Sequence, residues 1–381
     1  MIFINLVKMF AIWLCDTINL CYYPFRETHF MESEVPLKDL EEHYAKDLEA
    51  NFKAGWLFLY ETPIPEDRGD HALFQGLYTG MRALKGGNID DAIDGLGHFF
   101  FDDTLIRGYW DDGRPNDTTS NDSATGALFG LYCIWKYNGP KANPLILRWA
   151  DKVVKSDYAL TNLSGEPTKY GKLADGIMTD PLRITLLLAL LALASKVDSR
   201  FYEIYERMYN RYREILPYPK VKLLWWDTDY DTHRAAIHLH ILYMLTGDLV
   251  YKAGLRRLHR ICRAETNPWV NILCSPALGL ENVNLSLLNT FEKGMVRTNI
   301  RTQNSHYHWS VKWGKKLRAK SPLPIYRRGS QEFFWQRNPF SLDEWPNNDV
   351  ANKRHSSLDF LLCYWMAKRL GLTSWLTGVK L

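Results

Sequence analysis

Acidic and aromatic side chains occur together in one loop of this sequence. Segment 107–114 (RGYWDDGR) contains a tryptophan followed by two aspartates, and two further aspartates precede the next apolar run. Cleavage of a glycosidic bond needs one carboxylic acid that protonates the leaving oxygen and a second carboxylate that acts as base or nucleophile. An aromatic ring beside them can stack on a sugar. The catalytic candidates here are Asp122, Asp112 and Asp117, and the substrate-binding candidates are Trp110 and Asp111.

Asp122 stands where an apolar, helix-periodic run begins. As a cap or first-turn residue it would satisfy backbone N–H groups and the helix dipole, a role that needs no catalysis. The same position would hold the pKa of Asp122 low and suit a base or nucleophile. Asp112 or Asp117, in a drier setting, would then have a raised pKa and act as the acid.

A second group of acidic residues follows a pair of tryptophans. Segment 225–234 (WWDTDYDTHR) places three acids at alternate positions, followed by a histidine and an arginine. The pattern suits acid/base chemistry or a cation site, but the glycine and the closing glutamate of an EF-hand loop are absent, so we predict no metal. The candidates are Asp231, Asp229 and His233 for catalysis and Trp225, Trp226 and Arg234 for substrate binding.

Three further segments offer substrate-binding residues. An aspartate at 70 ends a proline-rich loop, and another at 180 precedes a proline, which is typical of a helix N-cap with proline at the first helical position. Capping and binding explain these two aspartates equally well. Segment 328–340 combines amides with indole rings, which suits polyol recognition or a packed cap over the fold. The candidates are Asp70, Asp180, Trp335 and Gln336.

The elements that must position these residues recur at an even spacing. An acidic residue opens an apolar, helix-periodic run about every fifty residues, a period that predicts a series of helical hairpins. The starts are Asp16, Asp70, Asp122, Asp180, Asp231 and Asp359. The long interval before the last start leaves room for one weaker unit near 285–291. If the hairpins close into a ring, all of the acidic starts face one mouth.

More polar, amphipathic segments lie between these apolar runs. They are expected to form partner helices that pack on one side only, and they span 38–60, 89–101, 144–157, 198–216 and 249–265. The apolar runs themselves are hydrophobic almost all round, which indicates helices covered on both sides. The small residues that close helix approach would need are Gly76, Gly80, Gly126 and Gly130.

In its architecture and in the spacing of its helical segments, the chain resembles the (α/α) toroid glycosidases and polysaccharide lyases, which are built from six or seven helical hairpins. The resemblance rests on the segments DHALFQGLYTGMRALKGG, NDSATGALFGLYCIW and DTDYDTHRAAIHLHILYMLTGD, and it covers 16–370. It implies an all-α fold, an (α/α)6–7 toroid, with the substrate cleft at the N-terminal ends of the inner helices. The residues that would face this cleft are Asp70, Asp122, Asp180 and Asp231.

Three functions are compatible with this interpretation. The leading one is hydrolysis of glycosidic bonds in an oligo- or polysaccharide by paired carboxylates. A polysaccharide lyase on the same toroid would instead use His71 or His233 with Tyr109 or Tyr230 as base and acid, and Arg234 to neutralise a uronate. The third is a non-catalytic protein that binds a glycan or takes part in an assembly.

Charge and motifs argue against several other classes. The formal net charge is +4 and the basic residues are scattered, whereas a nucleic-acid-binding surface concentrates them on one face. The sequence lacks a phosphate loop, a dinucleotide fingerprint, a GxSxG elbow and an HExxH motif, so no cofactor is predicted. The expected partner is an oligo- or polysaccharide substrate and not a nucleic acid.

A single domain is expected over residues 1–381, with an irregular, loop-rich part at 267–348. The apolar stretch 1–15 lacks the basic region and the cleavage site of a signal peptide, so we interpret it as a first buried helix; a membrane anchor is the alternative. The six cysteines form no CxxC pair and show no metal-ligand spacing. Without a signal peptide or a disulfide pattern, a cytoplasmic location is favoured.

Overall fold

The computed structural model describes residues 37–59, 61–62, 70–110, 112–174, 180–218, 230–262, 268–279, 311–312, 315–316 and 354–372. The α-helices in these ranges are α1 (Leu37–Asn51), α2 (His71–Lys85), α3 (Asp90–Gly97), α4 (Asn121–Asn138), α5 (Asn143–Lys155), α6 (Pro181–Ser195), α7 (Arg200–Tyr212), α8 (Tyr230–Thr246), α9 (Leu249–Cys262), α10 (Pro268–Leu278) and α11 (Leu358–Arg369). A 3₁₀ helix at Pro140–Ala142 precedes α5.

The described strands are short and pair two by two. They are β1 (Lys53–Ala54), β2 (Leu57–Phe58), β3 (Glu61–Thr62), β4 (Phe100–Phe101), β5 (Thr104–Leu105), β6 (Ala159–Thr161), β7 (Pro167–Lys172), β8 (Val311–Lys312), β9 (Lys315–Lys316) and β10 (Arg354–His355). The antiparallel pairs are β1–β2, β3–β10, β4–β5, β6–β7 and β8–β9. Helices therefore dominate the described fold, and the predicted all-α class is confirmed.

Among the described helices, six form a closed inner ring. Helix α2 packs on α4, α4 on α6, α6 on α8, α8 on α10 and α10 on α11, and α11 returns to α2. The other described helices lie outside this ring: α3 packs on α2, α5 and α7 on α6, α9 on α8 and α10, and α1 on α11. This arrangement is the predicted (α/α) toroid, and the described buried apolar residues of both layers form one hydrophobic core.

Burial explains the two kinds of apolar pattern. Helix α6 has the sequence PLRITLLLALLALAS and is buried along nearly its whole length, because the inner ring and the outer helices cover it from both sides. Outer helix α5 buries only one stripe, which includes Ile146 and Trp149. A helix with one apolar stripe needs one covered face, whereas a helix that is apolar all round needs two.

The contact between α2 and α4 depends on glycines, as the sequence predicts. A Cβ added at Gly126 of α4 would lie 2.6 Å from Leu73 Cα of α2, and one at Gly76 of α2 would lie 2.5 Å from the Ala127 nitrogen. Side chains larger than hydrogen do not fit between these backbones. The glycines thereby allow the backbones of α2 and α4 to come into direct contact.

Several boundaries differ from the sequence-based expectations. The helix predicted over 89–101 ends at Gly97 and is followed by β4. The segment predicted as one helix over 38–60 leaves the helix at Asn51 and continues as the β1–β2 hairpin. Part of the region predicted to be irregular, 267–348, contains inner helix α10, which begins at Pro268 without an acidic start. The weaker unit proposed near 285–291 and the start at Asp16 lie outside the described residues.

None of the helices in the described ranges combines the length and the apolar character that crossing a bilayer requires. The apolar stretch 1–15 lies outside those ranges.

Candidate active site

The N-terminal ends of several inner helices meet on one side of the ring. Arg234, in the first turns of α8, lies between two carboxylates: its Nε is 3.2 Å from Asp122 Oδ1 of α4, and its Nη2 contacts Asp231 Oδ1 of α8. Asp70, just before α2, accepts a hydrogen bond of 2.9 Å from Arg107 Nε. Asp70 and Asp231 are both near enough to Asp122 for their charges to act on its pKa, so these three acidic residues are neighbours in space.

Local capping decides which carboxylates are available. Ser120 is the N-cap of α4, because its Oγ accepts a hydrogen bond of 3.0 Å from the Ser123 amide. Asp122 lies in the first turn of α4 and points to Arg234 instead of capping the helix. Asp180 does cap α6, since its Oδ1 accepts from the Leu182 amide at 3.0 Å, with Pro181 at the first helical position.

A cleft of about 810 Å³ opens beside these helix ends. Its walls come from the loop before α4, the first turns of α4, α6 and α8, and the β6–β7 hairpin. The residues that line it are Arg107, Asp117, Thr118, Thr119, Ser120, Asn121, Asp122, Asn162, Pro167, Thr168, Lys169, Tyr170, Asp180, Arg183 and Arg234. Three carboxylates, those of Asp117, Asp122 and Asp180, share this cleft with several cationic groups.

Asp122 is the desolvated carboxyl of the cleft. Only 25% of its side chain is exposed, and burial raises its pKa above the ordinary value. The charge of Arg234 acts in the opposite direction, but the charges of Asp70 and Asp231 reinforce the effect of burial. A carboxyl in such surroundings holds its proton to higher pH than an exposed one.

The pKa values expected for Asp112 and Asp122 are reversed in the structure. Asp112 is 51% exposed and accepts hydrogen bonds from the Arg114 backbone amide and guanidinium, which lower its pKa. The expectation of a dry, proton-holding Asp112 was therefore wrong, as was the expectation of a low pKa for Asp122. Burial and the charges of Asp70 and Asp231 outweigh the charges of Arg234 and Arg107 at Asp122. Asp112 lies in an exposed turn and is not a cleft residue.

Asp117 connects the loop before α4 to the neighbouring hairpin. Its Oδ1 accepts a hydrogen bond of 2.5 Å from the Leu163 amide, in the turn between β6 and β7. The bond holds the hairpin against the mouth of the cleft, where Asp117 is a lining residue.

The remaining sequence-based candidates fall into two groups. Trp110 is exposed and His233 is buried in α8, and neither lines the cleft. The other candidates lie outside the described residues, so their roles stay predictions. They are Asp111, Trp225, Trp226, Asp229, Trp335 and Gln336.

The β6–β7 hairpin contributes cleft residues that the sequence analysis did not single out. Tyr170 is an exposed aromatic side chain of the cleft wall, with Lys169 Nζ 5.2 Å and the Arg183 guanidinium 5.8 Å from its ring centroid. The only local signal was the length and turn-rich composition of the loop before α6, because long loops are usually functional.

Among the residues that the structure describes, no three His, Cys, Asp or Glu side chains are grouped so that they could hold a metal ion. The polar groups that line the described cleft are carboxylates, guanidinium groups, an ammonium group, hydroxyls and amides.

The fold is similar to that of a family 76 glycoside hydrolase from a bovine Bacteroides thetaiotaomicron strain, with a TM-score of 0.52 and 11% sequence identity over 90% of this chain and 79% of that chain. Two other solved structures match less closely. A family 76 mannosidase from Bacteroides thetaiotaomicron has a TM-score of 0.49 and 10% identity, and covers 89% of this chain and 98% of its own. A sugar epimerase from a ruminal bacterium has a TM-score of 0.49 and 14% identity, and covers 90% of this chain and 100% of its own.

No protein-family model and no curated protein sequence matches this chain. At these low identities the likeness concerns the fold. The chain therefore has the (α/α) toroid fold of toroid glycosidases such as the family 76 glycoside hydrolases.

Proposed function

We propose that this protein is a glycoside hydrolase that cleaves an oligo- or polysaccharide in the cleft at the inner-helix N-termini, with Asp122 as the general acid. The observation that carries the proposal is the desolvated carboxyl of Asp122 in the wall of a cleft that holds two further carboxylates. Glycoside hydrolysis requires two carboxyl groups in unequal environments, one protonated and one ionised.

Asp122 suits the donor role because burial and the charges of Asp70 and Asp231 favour its protonated form. After the proton passes to the leaving glycosidic oxygen, the Asp122 carboxylate faces the Arg234 guanidinium at 3.2 Å. That ion pair stabilises the charge created in the step, so Arg234 assists proton transfer while remaining outside the bond changes.

Asp180 suits the role of the second carboxylate. It lies at the start of α6, the inner helix next to α4, and about half of its side chain is exposed at the cleft. Its Oδ1 accepts a hydrogen bond from the Leu182 amide, and its Oδ2 lies 3.9 Å from Arg183 Nε. We assign Asp180 as the base or nucleophile that acts opposite Asp122.

The cleft is suited to a sugar chain in size and lining. A volume of about 810 Å³ is near the upper end of small-ligand pockets, which span about 300–1,000 Å³. Tyr170 offers an aromatic ring at the wall, and the lining hydroxyls, amides and charged groups suit the hydroxyl groups of a polyol.

The lyase alternative fits the described residues less well. Arg234, its proposed uronate partner, already pairs with Asp122 and Asp231. His71 and His233 are both buried, with 1% of each exposed, and neither lines the cleft. A base that removes a proton from a sugar ring must reach that ring.

The test is release of reducing ends from a panel of mannans, xylans and glucans by the purified protein. We expect one member of the panel to be cleaved, and we expect Asp122→Asn and Asp180→Asn to lower turnover by about 10²–10⁴-fold, the usual contribution of a general acid or base. Asp112→Asn is the matched control on the same loop, and its turnover should equal that of the unmodified protein.

Two results would contradict the proposal. Equal turnover by a folded Asp122→Asn variant would show that this carboxyl has a purely structural role. Binding of a glycan without release of reducing ends, measured by affinity electrophoresis in the same polysaccharides, would instead support a glycan-binding protein.

A further inference from the structure

A fully buried histidine lies beneath the candidate active site. His238 of α8 is one helical turn after Arg234, and 1% of its surface is exposed. Both of its ring nitrogens contact threonine hydroxyls on other inner helices: Nε2 is 2.8 Å from Thr125 Oγ1 of α4, and Nδ1 is 3.2 Å from Thr185 Oγ1 of α6. One imidazole thus connects three helices of the ring.

Each threonine continues the connection toward the cleft. Thr125 Oγ1 donates a hydrogen bond of 2.7 Å to the carbonyl of Asn121, and Thr185 Oγ1 donates one of 2.9 Å to the carbonyl of Leu182. Asn121 precedes Asp122, and Leu182 follows Asp180 by two residues. The network therefore ends at the first turns that carry the two proposed catalytic carboxyls.

We propose that His238 is a positioning residue, which holds the first turns of α4 and α6, and with them Asp122 and Asp180, at the separation that catalysis needs. This inference rests on the proposed function. A polar network that is fully buried in an apolar ring specifies one arrangement of helices more strictly than apolar packing does, because each hydrogen bond depends on distance and direction.

The imidazole of this network is neutral. Burial and the charge of Arg234 lower the pKa of His238, and a hydrogen bond to the Leu182 carbonyl opposes them. The ring proton and the two hydroxyl protons are three protons for the four contacts, so three of the four can be hydrogen bonds at one time. A glutamine amide offers one donor and one acceptor at a similar spacing, so it can occupy the same network.

The neighbouring His240 provides a matched control. It lies on the same helix, is also fully buried, and its Nδ1 is 2.8 Å from the carbonyl of Leu273 on α10. Its hydrogen bond leads to α10, and its ring packs edge-on against Tyr132, two to three turns after Asp122 on α4. Replacing either histidine removes a buried, hydrogen-bonded imidazole, but only His238 connects to the cleft carboxyls.

The experiment compares His238→Phe, His238→Gln and His240→Phe by thermal unfolding and by steady-state kinetics on the cleaved polysaccharide. We expect both phenylalanine variants to lose stability. Only His238→Phe should lower kcat, by about 10²-fold with little change in KM, because a shift of about 1 Å at a reacting group has an effect of this size. His238→Gln should recover most of the lost kcat. Parallel losses of kcat in His238→Phe and His240→Phe would overturn the inference.

A second readout does not require activity. This readout is the pKa of the Asp122 carboxyl, measured by ¹³C NMR. The pKa depends on the burial of Asp122 and on the charges that face it. These charges are Arg234 and Asp231 on α8 and Asp70 and Arg107 on the side of α2. The pKa should change in His238→Phe and stay constant in His240→Phe. A constant pKa in both would overturn the positioning role even if no glycan is cleaved, whereas an altered pKa without any cleavage would contradict only the proposed function.

If His238→Phe does not fold, the threonines provide the test. Thr125→Val and Thr185→Val each remove one hydroxyl and keep the side-chain shape. Thr125→Val should alter the pKa of Asp122, because its link leads to the first turn of α4. Thr185→Val should lower kcat through Asp180 and leave that pKa closer to its original value. An unchanged kcat in both folded variants would refute the inference.

Discussion

Replacing Gly126 by alanine tests how closely α2 and α4 must approach to keep the cleft carboxyls in place. The added Cβ would lie 2.6 Å from Leu73 Cα, whereas ordinary van der Waals contact begins near 3.4 Å. The obstructing atoms belong to the backbone of α2 and cannot rotate away, so the two helices must separate by about 1 Å. Overpacking of a core lowers the free energy of unfolding by about 1–3 kcal/mol. Because backbone atoms cause the clash here, we expect a loss near 3 kcal/mol, the upper end of about 1–3 kcal/mol.

Alanine also has a higher helix propensity than glycine, and this difference offsets about 1 kcal/mol of the lost stability. The expected net loss is therefore about 2 kcal/mol in the free energy of unfolding, measured by urea titration. Because Gly126 lies one turn after Asp122 on α4, the same displacement should lower turnover by about 10²-fold.

Gly97→Ala is the matched control, since nothing lies within 4 Å of a Cβ added at Gly97 at the end of α3. It should leave turnover unchanged and raise the free energy of unfolding by up to about 1 kcal/mol. If Gly126→Ala were as stable and as active as Gly97→Ala, the argument that the glycine contact positions Asp122 would be refuted.

Three further predictions concern the cleft. The pKa of Asp122 is higher in the folded state than the unfolded value of 3.8, so ionisation of Asp122 opposes folding as the pH rises above 3.8. Asp122→Asn removes this ionisation and should raise the thermal unfolding midpoint near pH 7. The increase in the midpoint should disappear as the pH falls toward 3.8. Ser120→Ala removes the N-cap bond to the Ser123 amide and should cost about 1 kcal/mol in urea unfolding, with Ser120→Asp restoring it. Tyr170→Ala removes the exposed ring of the cleft wall and should raise KM roughly fivefold with kcat unchanged, as expected for a stacking contact of about 1 kcal/mol; equal KM values would argue against a sugar platform.

The sequence predicted those inner helices whose apolar pattern, capping residues or glycines are visible within a few turns of the helix. The run PLRITLLLALLALAS is apolar on every side, and this alone indicates a helix covered by two layers, as α6 is. The Asp180–Pro181 start and the glycines at 76 and 126 likewise follow from rules that act within one helix turn or at one helix contact.

The same rules failed where the local signal was weak or ambiguous. Helix α10 starts at a proline, has no acidic residue in its first turn and contains Pro276, so its eleven residues did not match the repeated pattern. The β6–β7 hairpin was visible in the sequence only as a long loop, and its place in the cleft wall depends on the bond between Asp117 and the Leu163 amide.

The amino-acid sequence was sufficient for the class of fold, because periodicity, capping and glycine spacing are local properties of the chain. The protonation preference of Asp122 needed the tertiary structure. That preference arises from burial and from the charges of Asp70, Arg107, Asp231 and Arg234, which belong to other helices and loops. Residues far apart in the chain acquire a defined separation only when the ring closes, and the energy of a buried charge depends on that separation.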